Sequence, residues 1–136
     1  MKAILVLLVV LALGSSTHLS AQDSAAHQPS DTVYATFKGG DEAWRAYMSR
    51  SLRTDAIIRK GAKAGLYIIN VRFKIEADGS ITEVVAENDR GFGTAEEAVR
   101  VIKKSPRWKP ATVNGQPVAD TRRQPVVFQL VNDPAS

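Results

Sequence analysis

The side chains that could do acid–base or metal chemistry are few, and their spacing does not suit it. Histidine occurs only at His18 and His27, both ahead of the part of the chain with fold-forming periodicity, and cysteine is absent. No Ser-His-Asp or Cys-His set can be assembled, and disulfides and thiolate metal sites are excluded. Glu76, Asp78, Glu96 and Glu97 fall where turns and helix starts favour carboxylates, and no all-carboxylate spacing fits a hard cation. Gly91-Phe92-Gly93 has no third glycine, no strand before it in a βα context and no lysine after it, so its phosphate signal is very weak. The sequence reads as a non-enzyme without catalytic residues, cofactor or metal.

One stretch concentrates unusual residues. In Ser105-Pro106-Arg107-Trp108-Lys109-Pro110-Ala111 an indole sits between two cations and two prolines. Each proline fixes its own φ and biases the residue before it towards extended structure. The backbone is therefore stiff on both sides of Trp108. Two readings compete: a ligand platform built on a cation-flanked aromatic, or an anchor that closes the core between a helix and a sheet. The second is favoured, with Trp108, Pro106 and Pro110 as structural anchors, because a single tryptophan ahead of a proline usually packs. The run from Lys103 to Lys109 also has the cation-plus-aromatic look of a nucleic-acid binder. A helix C-terminus favours cations in any case, so no nucleic-acid partner is expected.

The elements around these residues follow from periodicity. Trp44, Tyr47, Met48 and Leu52 form one apolar stripe of a helix, with Asp41 expected as its N-cap. Thr54-Asp55 suits the start of a shorter helix through Ile57 and Ile58, ended by Gly61 and Gly65. Tyr67, Ile69, Val71, Phe73 and Ile75 alternate with more polar neighbours, which predicts a strand with one buried face. Asp78-Gly79 then predicts a two-residue hairpin turn. That turn sets Val71 opposite Ala86 and Phe73 opposite Val84. Thr94 with Glu97 predicts a capping box for a helix burying Ala95, Ala98, Val99 and Ile102. Asn114-Gly115 reads as a turn tolerant of positive φ. A last strand spans residues 122–131, with Val126, Phe128 and Leu130 on one face; Pro125 lacks an N–H and suits a strand start or a sheet edge, with the edge favoured. The expected fold class is α+β: a two-layer sandwich, with a small three-stranded antiparallel sheet and helices on one face.

The 136 residues carry a net charge of +4 and 44% hydrophobic side chains, the profile of one globular domain. Met1 and Lys2 precede an apolar run at residues 3–13 and a small polar stretch ending at Ala21. This is the layout of a signal peptide over residues 1–21, too short for a good spanning helix, which takes about 20 apolar residues. Residues 22–36 read as a disordered leader, residues 37–131 as the domain and 132–136 as a tail. An uncleaved N-terminus would instead leave an inner-membrane tether.

Several of these residues, in this order, resemble a known family. They are residues 65–71, Asp78-Gly79-Ser80-Ile81, Ala98, Trp108-Lys109-Pro110, Asn114-Gly115 and Pro125-Val126-Val127-Phe128, with Phe37-Lys38-Gly39-Gly40 as lead-in. The pattern is similar to the C-terminal domain of TonB-family energy transducers and covers nearly all of the expected fold. The resemblance implies a two-layer α+β domain in the periplasm. It implies a protein partner, an outer-membrane TonB-dependent receptor or its periplasmic segment, bound by adding a strand to the sheet. It also implies coupling of that contact to uptake across the outer membrane. The chain departs from a full transducer in three ways: the apolar run is short with His18 beyond it, there is no long proline-rich spacer, and Thr54-Asp55 stands where the family has Tyr-Pro. That Tyr-Pro region touches the receptor in the family.

Partner binding is accordingly expected along the last strand, at Arg122, Arg123, Val127, Gln129 and Val131. Main-chain groups there would give affinity and alternate side chains selectivity. The two arginines suit an acidic partner segment; equally, they suit a charged edge that resists aggregation. Strand exchange between two copies is a further way to cover the same edge.

Overall fold

The structure, a computed structural model, describes residues 30–132. The signal-peptide reading of residues 1–21, most of the leader and the end of the tail lie outside the described residues. Within them the order is β1 (Thr32–Val33), α1 (Gly40–Ser51), α2 (Thr54–Arg59), β2 (Gly65–Ile75), β3 (Ile81–Ala86), α3 (Thr94–Lys103), β4 (Ala111–Val113), β5 (Gln116–Val118) and β6 (Asp120–Leu130). The class is α+β, as the periodicity predicts.

The main sheet has the order β3-β2-β6 and is antiparallel throughout. β2 is its centre. It pairs with β6 along its whole length, from Gly65 opposite Leu130 to Ile75 opposite Asp120. Alternation sends Ile69, Val71, Phe73 and Ile75 of β2, with Val126, Phe128 and Leu130 of β6, into one core. α1 adds Trp44 and Tyr47 to that core, and α3 adds Ala98, Val101 and Ile102. The Tyr47 hydroxyl donates to the Val101 carbonyl at 2.8 Å, tying the two helices together. The other face of the sheet stays open to solvent, as antiparallel sheets allow.

A second small sheet, β1-β4-β5, was not foreseen. Its β4–β5 turn is the expected one: Asn114 and Gly115 both take positive φ, at 50° and 80°, which suits a two-residue hairpin. β1 corrects the leader. Thr32 and Val33 pair with Val113 and Thr112, Thr36 bridges to Lys109, and Ala35 is completely buried. Ordered structure therefore begins ahead of Phe37.

Three local expectations also change. α1 starts two residues earlier, with Gly39 in the left-handed region at its N-cap; Asp41 lies in the first turn. α3 likewise has Gly93, not Thr94, at the N-cap. The Thr94 hydroxyl donates back to the Gly91 carbonyl, and Glu97 is drawn to other partners, so no capping box forms. Val101 is buried in place of Ala95 and Val99, which are only half-buried.

The third change is in the hairpin. The Gly79 N–H donates to the Glu76 carbonyl and the Glu76 N–H to the Ser80 carbonyl, which encloses a three-residue loop. Ile75 consequently faces Ile81, where a two-residue turn would have set it against Thr82. A bulge with Glu83 at φ 52° absorbs the shift, and Val71 meets Ala86 as expected. The cause lies across the core. The Trp108 N–H donates to the Gly79 carbonyl at 2.9 Å, and a Cβ on residue 79 would overlap the Trp108 carbonyl oxygen. The turn is shaped to seat against the connector.

Candidate binding edge

Trp108 is only 4% exposed. Its ring meets Phe37, Trp44 and Phe73 at centroid distances of 5.7, 5.3 and 5.3 Å, all edge-on. Its Nε1–H donates to Ser105 Oγ at 3.2 Å. The core-anchor reading is the one the geometry supports, with Pro106 just beyond α3 and Pro110 just ahead of β4.

Among the described residues the sheet has two free edges, β3 and β6. On β6, Asn70 fixes which way the main chain points. Asn70 lies opposite Pro125. Its carbonyl accepts the Glu87 N–H at 2.8 Å, and its own N–H donates to Asn88 Oδ1 at 2.7 Å. Both groups face β3, so Asn70 and Pro125 form a pair that exchanges no hydrogen bonds. In an antiparallel ladder such pairs alternate with bonded ones. Pro125 therefore turns its main chain outward, where its missing N–H costs the sheet nothing. By the same parity Arg123, Val127 and Gln129 present theirs outward, while Val126 and Phe128 bond to β2. Val127 and Gln129 share one direction, being two residues apart. Val131, 76% exposed, extends the line past β6. The side chain of Val127 joins Leu66 and Ile68 as exposed apolar groups on the open face of the sheet.

The two arginines part company. Arg122 shares the inward parity of Val126 and Phe128. Its guanidinium lies 5.8 Å from the Trp108 ring centroid and donates to the Ala35 carbonyl, clamping the segment after β1 onto the core. Arg123 faces the open side and forms a two-point ion pair with Glu87, at 2.7 and 3.0 Å. Arg72 contacts the same carboxylate at 3.2 Å. The Arg123 hydrogen bond, ahead of every other cause, holds the Glu87 carboxyl below its usual range. Both side chains thus have partners inside the domain. The inward parity of Arg122 was legible in the alternation of the last strand.

Beside β6 lies a cleft of about 420 Å³, which the sequence did not reveal. Asp41, Trp44, Arg45 and Met48 of α1 form one wall; Arg122, Gln124 and Pro125 of β6 form the other, with Phe37 and Trp108 between them. The helix wall is one face of α1, because 41, 44, 45 and 48 recur at helical spacing.

Glu97 is the one acidic side chain buried among the described residues. Its Oε1 accepts the Arg53 N–H at 2.8 Å, and its carboxylate pairs with Arg100 at 2.5 and 2.8 Å. Arg100 also reaches the Ser51 carbonyl at 2.8 Å. The pair ties the α1–α2 junction to α3. Burial pushes the Glu97 carboxyl up, but the Arg100 hydrogen bond, the Arg53 amide and both positive charges together bring it below its usual value.

Among the described residues no His, Cys, Asp and Glu cluster could hold a metal ion, and no helix is long and apolar enough to cross a membrane. Residues 68–130 match the family described as Gram-negative bacterial TonB protein C-terminal. Neither the curated proteins nor the solved structures searched give a match. The matched segment runs from Ile68, near the start of β2, to the end of β6 and so takes in both free edges, the Trp108 connector and the β4–β5 hairpin. With that match and this fold, residues 68–130 are similar to the TonB C-terminal domain family.

Proposed function

We propose that the domain is a periplasmic protein-binding module that takes an extended segment of an outer-membrane TonB-dependent receptor as an added strand on β6. The family match supports a part in energy-coupled transport and a protein-interaction role without catalysis. The observation that carries the finer reading is the outward main chain of Val127 and Gln129, on an 11-residue strand with no neighbour on that side among the described residues. Main-chain pairing there gives affinity with little demand on the partner's sequence, and alternate side chains give the selectivity.

Proline substitution tests it, because it removes one outward N–H and leaves the β2 ladder intact. Val127→Pro and Gln129→Pro should each stay folded and lose binding to solubilised outer-membrane receptors. A folded variant that binds with parental affinity would sink the proposal. The same reading has the chain exported and starting near Gln22; an intact mass that includes residues 1–21 would replace it with a membrane-tethered component. Strand exchange between two copies would use the same edge, and would show as a dimer that either proline abolishes.

A further inference from the structure

We infer that the cleft between α1 and β6 receives one tyrosine-like side chain, an aromatic ring with a neutral polar tip, from the segment that adds to β6. The inference rests on the strand-addition reading and specifies the partner's sequence. Position is the first argument. A partner ladder on β6 can use the outward N–H groups of Gln129 and Val127, and it loses its donor at Pro125. Pro125 is also the residue where the wall of the cleft begins. Main-chain recognition stops where side-chain recognition becomes available.

Size and floor are the second argument. About 420 Å³ accommodates one large side chain with room for its approach. Trp44, Trp108 and Phe37 line the cleft, and they already pack edge-to-face with one another at 5.2 to 5.7 Å. A further ring extends that arrangement and covers what remains of their exposed edges.

The rim decides the tip. Asp41 and Arg45 stand one helical turn apart on α1, and neither side chain makes a hydrogen bond or ion pair among the described residues. A carboxylate would meet Asp41, and an ammonium would meet Arg45 and Arg122. A phenol hydroxyl can donate to the carboxylate and accept from the guanidinium.

The chain contains two tryptophans, and both line this cleft. Tryptophan emission therefore reports directly on its occupancy. The probes are nine-residue peptides of alternating threonine and valine, carrying tyrosine, alanine, glutamate or lysine at the first or the last position, titrated into the full chain. The tyrosine peptide should bind about tenfold more tightly than the alanine peptide and shift the emission. Gln124→Phe, which fills the cleft, should erase the difference and leave the alanine peptide's affinity unchanged; Arg45→Ala, at an exposed position, should reduce it in a chain whose core is untouched. Equal binding of all four peptides would overturn the cleft assignment and leave strand addition standing. A glutamate peptide that outranks tyrosine would overturn it in favour of an anion site. Failure of every peptide to bind, in a chain that Val127→Pro also leaves unchanged towards receptors, would remove both readings together.

Discussion

The two free edges of the main sheet are built in opposite ways. β3 is six residues long, carries a bulge at Glu83 and runs beside α3. β6 is 11 residues long and unbulged, and its one interruption, Pro125, is placed where the lost N–H points away from β2. Natural sheets guard edges with shortness, bulges and inward charge. β3 has the first two devices. Beyond Pro125, β6 has neither, and the positions that follow are valine and glutamine, with no charge until Asp133. The two edges thus differ in how far they are guarded, and the strand-addition proposal rests on the less guarded one.

The strongest perturbation of that contrast is at its common support. Trp108 holds the β2–β3 turn through Gly79 and lies beneath Arg122 of β6, so both edges depend on it. Trp108→Ala should cost about 3–5 kcal/mol of stability in chemical denaturation. A midpoint equal to the parent's would mean that the ring supports neither edge.

The next effect concerns α1, which walls the cleft beside β6. Glu97→Gln should cost roughly 1–3 kcal/mol near neutral pH, because Arg100 and the Arg53 amide lose a charged acceptor. The pH dependence has a definite sign. The Glu97 carboxyl is depressed in the folded state, so its contribution is complete above the ordinary glutamate value of 4.5 and is lost as pH falls through the lower folded value. Urea midpoints of parent and variant should therefore converge on acidification, and midpoints that stay apart at the lowest pH would refute the assignment.

The smallest effect tests the guard itself. Glu83 sits at φ 52°, where a side chain is strained, and Glu83→Gly should stabilise the domain by up to about 1 kcal/mol. Deleting residue 83 should instead flatten β3, since the ladder on either side keeps its register without it. The shortened chain should self-associate with rising concentration in sedimentation, which the parent should not do through that edge. A monomeric deletion variant would show that the bulge is not what protects β3.

Long, strongly alternating segments were legible in the sequence. The stretch from Tyr67 to Ile75 and that from Val126 to Leu130 each carry enough period-two signal to fix their buried faces, and Pro125 alone placed the last strand at an edge. β1, β4 and β5 are two or three residues long, and no period can be read from so few. The hairpin loop was misread because Asp78-Gly79 reports only local preference, whereas Trp108, far along the chain, selects the loop that seats against it. Glycine outcompeted Asp41 and Thr94 at two helix starts for a similar reason. Gly39 and Gly93 adopt left-handed conformations that let the chain enter each helix sharply, and a side-chain cap is then not used. Of the candidate edge, the strand itself was readable; the outward direction of the Val127 and Gln129 N–H groups follows only from the pairing of Asn70 with Pro125. The cleft was not readable, because it is made by two elements that meet only in the fold.

The long β2–β6 ladder also has a consequence in time. Gly65 and Leu130 are neighbours in the sheet and lie far apart in the chain. As the polypeptide emerges from its N-terminus, β2 and β3 can close their hairpin early, but β2 must wait for the last residues of the domain before its other side is covered. Contacts this distant in sequence slow folding, because loop closure precedes their reward. Until β6 arrives, the bare flank of β2 is an unpaired strand edge of the same kind as the outer side of β6. The nascent chain thus has a period in which its own centre is open to strand addition, and chaperoning or rapid completion has to cover it.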